Sequence, residues 1–437
     1  MKQKLYNLLP IFLQNILVTI AGKQRRKSRY DNPISKNIQE EFNLSIEKQI
    51  ELGEKKLKDY LTTAKNESDF WNDKISEEFI RNFQSKDIKS LPIISKKDIL
   101  KNQSSFENRS DTEKNYSVIK TSGTSGTSLK FRMSNYAIAA GFTLWDKCGH
   151  YKLGDKYGTF NGNIIAPLEQ TKKPFWRFNK SANQTLFSIF HLKDEFLLNY
   201  YNELINGYKY LIGYPSSIFI IAEYIIKNNL EPLNLEGIYT SSENLYLWQR
   251  IQMEKAFGCK VFDKYSNAEQ TVLIYETLNN KYFVSPLFSY VWFKRSGVIV
   301  EDEEAYSVIG TSFNNSSTFF INYDTGDLVL LNDDRTVRKV LGREDDVIEL
   351  RDGRKIGRLD HLFKDASDVL ESQIIQESIN KITIKVRLKN KNKFDSKNLI
   401  VREIRNRISK QIDVNFEIVD TIPKQPNGKF KFVIKLF

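Results

Sequence analysis

Two cysteines and three histidines are all that 437 residues hold of the two side chains most used for metals and nucleophilic catalysis. Cys148 and Cys259 are too few for a disulfide framework, and their apolar surroundings fit reduced, buried thiols of a cytoplasmic protein. A cysteine-rich zinc site is excluded on the same count. A histidine metal centre or histidine-based triad would have to draw on His150, His191 or His361, each of which reads first as structural or surface. Internal repeats and low-complexity tracts are absent. A long apolar run is absent too, because Leu8 to Ile20 is broken by Pro10, Gln14 and Asn15 and is too short to span a bilayer. Lys2 and Lys4 stand before that run as in a signal peptide, but no small-residue cleavage site follows, which argues against secretion. Basic residues outnumber acidic ones by 66 to 54, a net +12. They are scattered and accompany no nucleic-acid-binding signature, so an anionic small ligand explains them better than DNA or RNA.

What is present is enough apolar sequence, 40%, for a large core and two or three domains. Leu13, Ile16, Leu17 and Ile20 share a helical face ahead of Lys23, Arg25, Arg26, Lys27 and Arg29. That face is expected to pack on the protein's own core, with an interfacial helix on anionic lipid (residues 5–29) as the alternative. Residues 35–115 read as a helical lead-in anchored by Phe70, Trp71, Phe79 and Phe83. From Ser134, an N-cap, to about Tyr282, helices alternate with short apolar strands, which predicts an α/β layer architecture. Ser216 or Ser217 is expected to cap a helix over 218–227. Ser241 and Ser242 are expected to open another that ends at Gly258. Beyond Gly342 the pattern changes to a small α+β unit. Ile382, Ile384, Val386 and Leu388 mark a strand, Ile400, Ile404, Ile408 and Ile412 a helix, and 414–418 and 430–436 two further strands.

Five polar clusters interrupt this scaffold. Lys120 to Phe131 contains eight consecutive hydroxyl or glycine residues, Thr121 to Ser128, followed by Lys130, which suits a phosphate loop or a flexible polar connector. Its spacing fits neither a Walker A loop nor a Rossmann fingerprint. Tyr265 to Glu269 sets an aromatic and a carboxylate four residues apart at a strand end, for base stacking and a magnesium ligand or for a helix cap. Asp327 follows Gly326 in a predicted turn, where a carboxylate can take both hydroxyls of a ribose. Gly342 to Asp346 reads as a charged hinge or a solvated charge run, and Asn427 to Lys429 as a turn exposing one lysine.

In this order the clusters resemble the adenylate-forming superfamily, and within it the phenylacetate-CoA ligase and CapK-like branch, over nearly the whole chain. The resemblance implies a large N-terminal domain (1–342, with the lead-in 1–115) of layered sheets and helices, and a small mobile C-terminal α+β domain (343–437) carrying a catalytic lysine. It implies an acid activated by ATP to an acyl-AMP with pyrophosphate release, then passed to a thiol such as CoA, in surface-polysaccharide biosynthesis. Direct transfer to an amine, or a non-catalytic nucleotide-binding protein of the same fold, are the alternatives. Thr121, Ser122, Gly123, Thr124, Ser125, Gly126 and Lys130 would hold phosphates, and Glu269 Mg²⁺. Ser241, Ser242, Glu243 and Tyr265 would hold the adenine, and Asp327 and Arg343 the ribose. Lys429, Glu269 and Thr121 would be catalytic and Asp345 the hinge. Two departures are visible: Ser266 stands where glycine is common, and Asn322 where a basic residue often precedes Tyr323. The acid's pocket is expected between about Trp145 and Tyr214, and the setting is cytoplasmic, with the inner membrane surface as an option.

Overall fold

The computed structural model describes residues 2–121, 129–149, 151–152, 154–300, 303–343, 348–351, 355–356, 359–363, 365–366, 368–425 and 430–437. The amphipathic spacing before residue 115 forms helices, among them Ile11–Arg29, Pro33–Phe42 and Ile46–Glu67, the last capped by the Ser45 hydroxyl. Trp71, Phe106, Phe131 and Phe319 fill the core beneath the last of these helices. The Trp71 indole N–H donates to the Phe319 carbonyl at 3.0 Å, so the buried ring is not left with an orphan donor.

An eight-stranded sheet carries the α/β part. Its five middle strands, Val261–Ser266, Gly237–Ser241, Tyr210–Gly213, Tyr157–Asn161 and Gln184–Ser188, are parallel neighbours in that order. The helices Asp194–Leu204, Pro215–Lys227 and Leu247–Phe257 connect them, and antiparallel strands finish both edges. The ends at Gly213, Ser241 and Ser266 therefore open on one edge, where open α/β sheets bind ligands. A six-stranded sheet includes Glu303–Thr311, Tyr323–Leu331 and Val337–Arg343. The C-terminal sheet orders Asp413–Ile418, Lys381–Leu388, Val369–Ser378 and Val433–Lys435, covered by the helix Lys397–Arg407.

Four local expectations change. Tyr214 is the N-cap of the Pro215–Lys227 helix, because Pro215 already suits its first turn. Ser241 ends a strand and Ser242 sits at φ 70°, so the next helix begins only at Leu247, though it ends at Gly258 as expected. Asp327 lies inside the strand Tyr323–Leu331 and not in a hairpin turn; Gly326, at φ 69°, bulges the strand just before it. Val369–Ser378 is a strand that simple alternation did not disclose, since it is paired on both sides and carries Ile374 and Ile375 in succession.

The Ile11–Arg29 helix is also turned over relative to expectation. Gln14, 2% exposed, hydrogen-bonds the buried Arg177, and Thr19 and Asn15 bond the backbone of Phe178 and Lys180. The polar face docks because those groups complete the edge strand Trp176–Asn179. Phe12, Ile16 and Ile20 are left outside at 63%, 50% and 50% exposure. No described helix is long and apolar enough to cross a membrane.

Candidate active site

A cavity of about 1350 Å³ opens where the parallel strands end. Most of the polar clusters read from the sequence meet on it. Thr121, Ser241, Ser242, Glu243, Tyr265, Glu269 and Asp327 all line it, and so do Gln425, Phe430 and Phe432 of the C-terminal unit.

Thr121 closes the neck of the hydroxyl-rich loop: its N–H donates to the Leu129 carbonyl at 2.8 Å, and its hydroxyl oxygen accepts from the Leu129 N–H at 2.9 Å. Ser122, Gly123, Thr124, Ser125 and Gly126 lie outside the described residues. Lys130 is not brought to the cavity. It is exposed on the strand Lys130–Ser134, where alternation sends Leu129 and Phe131 into the core instead.

Two carboxylates on the cavity wall are held by tyrosines. The Tyr265 hydroxyl donates to Asp327 at 2.7 Å, and the Tyr323 hydroxyl donates to Glu269 at 2.9 Å. Both carboxylates are buried, so each is aimed before any ligand arrives. The structure describes Arg343 through its backbone, which pairs across the ladder directly with Asp327. Asp345 lies outside the described residues, but the approach to it is fixed. Gly342 takes φ 86°, a conformation that favours glycine, and a Cβ there would also have to push the Asn244 side-chain amide aside from 2.3 Å.

Glu243 performs a task that its place in the sequence did not suggest. One carboxylate oxygen accepts from the Ser216 N–H at 3.2 Å, at the start of the Pro215–Lys227 helix, and the other accepts from the Phe430 N–H at 2.7 Å. It therefore joins the large sheet's edge to the segment next to Asn427, Gly428 and Lys429, which lie outside the described residues. Lys424 completes this junction, with its ammonium 3.2 Å from the Ser216 hydroxyl; burial lowers its pKa and the nearby Glu243 opposes that shift. Farther out, Arg387 bridges Glu223 and Glu371, both at 2.9 Å.

Asn322, one of the two departures, is fully buried at φ 48°. Its amide donates to the carbonyls of Ile88 and Leu91 and accepts from the Trp292 indole, which ties the helical lead-in to the ligand-bearing strand. The other departure, Ser266, donates its hydroxyl to the Val272 carbonyl at 2.6 Å. Of the stretch from Trp145 to Tyr214 expected to form the acid's pocket, only its two end residues are among the described residues that line the cavity; Lys264, Arg29 and Arg25, which were not anticipated, line it too. Burial pushes Asp263 up to about 6 and Lys264 down to about 8. His191, buried against Phe175 and bonded to the Ser188 hydroxyl, is structural.

Residues 348–436 match the CapK C-terminal domain. The chain is also 29% identical, over 458 residues, to Protein CapK of Staphylococcus aureus, with 98% of each chain covered. Over nearly its whole length the chain is thus similar to Protein CapK. Among solved structures, a 2-hydroxyisobutyryl-CoA ligase in the postadenylation state with 2-HIB-AMP superposes at a TM-score of 0.64 (15% identity, 89% of each chain). The same enzyme in the thioesterification state, with 2-HIB-AMP and CoA, superposes at 0.52 (16% identity, 90% of each chain). The chain thus has the fold of the adenylate-forming ligases, a large N-terminal part followed by a smaller C-terminal one. Among the described residues, no group of three or more His, Cys, Asp or Glu side chains is arranged to hold a metal by itself.

Proposed function

We propose that this CapK-like chain is an ATP-dependent acid ligase. A carboxylate oxygen attacks the α-phosphorus of ATP, the bond to pyrophosphate breaks, and the resulting acyl-AMP gives its acyl group to the sulfur of a thiol such as CoA, releasing AMP. The observation that carries this reading is the shared cavity, on which Glu269, Asp327 and Glu243 meet the residues that flank Lys429. Such a reaction depends mainly on positioning and charge stabilisation, and every fixed carboxylate here is oriented by a tyrosine or by backbone N–H groups.

In this reading Ser241 and Ser242 line the adenine, Asp327 and Arg343 hold the ribose, and Thr121 with Ser122, Thr124 and Ser125 holds the outer phosphates. Lys429 stabilises the α-phosphate and acid oxygens. Mg²⁺ would rest on Glu269 together with substrate phosphates; one buried carboxylate fits an ion that keeps several waters and takes few protein ligands. Its chemistry there is charge neutralisation of those phosphates. The C-terminal unit from Arg343 onward moves about Asp345 for the second step, and the greater likeness to the postadenylation state supports placing this arrangement before that move. The proposed setting is surface-polysaccharide biosynthesis, as the family resemblance of the sequence motifs implies.

Pyrophosphate release across aryl, hydroxy, fatty and amino acids tests the activity, and Lys429→Ala should lower exchange with the accepted acid at least a hundredfold. Exchange at the parental rate would refute the assignment. Adding CoA or amines to the preformed acyl-AMP decides the acceptor.

We place the enzyme at the cytoplasmic face of an anionic membrane, because of the outward face of the Ile11–Arg29 helix. At 100° per residue, Phe12, Ile16, Ile20, Lys23 and Lys27 fall within one exposed arc, apolar first and cationic last. Phosphatidylglycerol vesicles should co-sediment with the full chain, and Phe12→Ser with Ile16→Ser should abolish this. Failure of the parent chain to bind, or self-association through the same face in sedimentation, would overturn the placement.

A further inference from the structure

The acid end of the cavity contains a buried cation that the ligase reading leaves unused. Lys264 is 3% exposed and lines the cavity on the strand that also carries Tyr265. Alternation along that strand gives the two side chains opposite faces: Tyr265 turns to Asp327, and Lys264 turns to the Asn135–Lys147 helix. There its ammonium donates to the Trp145 carbonyl at 2.8 Å and lies over three rings, 5.0 Å from Trp145, 5.3 Å from Tyr151 and 5.4 Å from Tyr239. Aromatic faces attract a cation but accept no ordinary hydrogen bond from it. An ammonium has three N–H donors, and the carbonyl of Trp145 takes one.

No described carboxylate forms a salt bridge with Lys264. The carboxylate that acts on it from a distance is Asp146, and it is already engaged by the hydroxyls of Tyr30 and Tyr151. Cys148 supplies no counter-charge, since burial pushes its thiol up to about 12 and keeps it neutral. The same wall brings Arg29, stacked 3.5 Å over Phe142, and Arg25 to the cavity from the inward arc of the Ile11–Arg29 helix. Of these three cations Lys264 alone is buried, Arg29 being half-buried and Arg25 exposed, and among the described carboxylates the one that acts on Lys264 is Asp146, since the neighbouring Asp263 sits on the other face of the strand with Tyr282 and Thr240. Buried charges are normally paired, so the missing anion at this end is a ligand's.

We propose that the acid activated here carries a second carboxylate, and that Lys264, held in the Trp145–Tyr151–Tyr239 cage, binds it from the cavity wall while the first carboxylate meets ATP at the Glu269 end of the cavity. This rests on the ligase reading and names its substrate class. A neutral amide or methyl group in that position would leave the ammonium buried without its counterion. The cage fixes one end of the substrate, so Lys264 is a specificity residue and takes no part in phosphorus chemistry.

The test is pyrophosphate release by the full chain with ATP and matched pairs: malonate with malonamate, succinate with succinamate, glutarate with glutaramate, and isophthalate with 3-carbamoylbenzoate. In the best pair the diacid should exceed its monoamide in kcat/KM by roughly 10- to 100-fold, the usual effect of one charge-assisted hydrogen bond. Lys264→Met should bring that ratio to near one, and Lys264→Arg should keep a preference for the diacid. A ratio at or below one in the parent chain, or a ratio unchanged in Lys264→Met, would overturn the proposal while monoacid turnover left the ligase reading standing. If no carboxylic acid of any class supports pyrophosphate release, both readings fall. Should Lys264→Met not fold, the parental ratio and the Lys264→Arg ratio decide the matter.

Discussion

Replacing Glu243 by glutamine probes the junction on which the shared cavity depends. Its two carboxylate oxygens accept from backbone N–H groups of opposite parts of the chain, Ser216 at 3.2 Å and Phe430 at 2.7 Å. Glutamine keeps the shape but turns one acceptor into an NH₂ group, which faces an N–H donor whichever way the amide is placed. One charge-assisted bond is lost and the other weakened. At about 1.5–3 kcal/mol for a hydrogen bond to a charged group, the segment beside Lys429 should hold its position less well by roughly that amount. Lys424 also loses the negative charge that opposes its desolvation. If this arrangement is the one that forms acyl-AMP, pyrophosphate exchange should slow about 10- to 100-fold. Thioester formation from preformed acyl-AMP should change less than threefold. The assay is isotope exchange beside single-turnover thioester formation on the same preparation. Exchange within twofold of the parent, or equal loss in both half-steps, would refute the reasoning.

Arg387→Met removes the cation shared by Glu223 and Glu371, and should slow exchange at least fivefold more than thioester formation, measured in the same pair of assays. Asn322→Ala deletes three buried side-chain hydrogen bonds and puts alanine at φ 48°; urea unfolding should show a loss of roughly 3–5 kcal/mol. Asp263 has its folded pKa raised to about 6 by burial, from 3.8, so its contribution to stability is fully present below about pH 4 and is lost as pH rises through 6. The unfolding free energy of the parent minus that of Asp263→Asn should therefore fall steadily from pH 4 to pH 6.5, and a flat difference would contradict it.

The clusters around Tyr265, Glu269 and Asp327 were legible as chemistry because their residue types are poor choices for packing. Their convergence was legible only through their order. Distances such as the 2.7 Å from Tyr265 to Asp327 join residues 62 positions apart, and no local pattern encodes that. Lys264 stayed hidden for the opposite reason: a single lysine in a strand has no periodicity, and its three aromatic neighbours come from a helix end, a loop and another strand. Asn322 looked like a deviation from a family pattern because its partners, Ile88, Leu91 and Trp292, are distant in the chain. The Ile11–Arg29 helix shows a further limit. Periodicity identifies an apolar face, but which face docks depends on what the receiving edge lacks, and here the edge strand needed Gln14, Asn15 and Thr19.

The junction of the two parts has a composition that bears on the second step. Its described side-chain bonds are mostly polar: Glu243 with two backbone N–H groups, Lys424 with the Ser216 hydroxyl, and Arg387 with Glu223; beside them Lys355–Ile356 pairs through the backbone with Val298 and Ile299 of the six-stranded sheet. Tyr246 against Phe432, with ring centroids 5.2 Å apart, adds an aromatic contact. Groups of this kind recover much of their interaction energy from water when separated, whereas a broad apolar seam would not. Side-chain contacts of this kind position the unit accurately and are released at modest cost, so the pairing of Lys355–Ile356 with Val298–Ile299 is the part of the junction that a move would have to break or carry along. That unit has a buried core of its own, built on Ile374, Ile382, Ile384, Ile400 and Ile404, with Tyr246 of the large part packed against it.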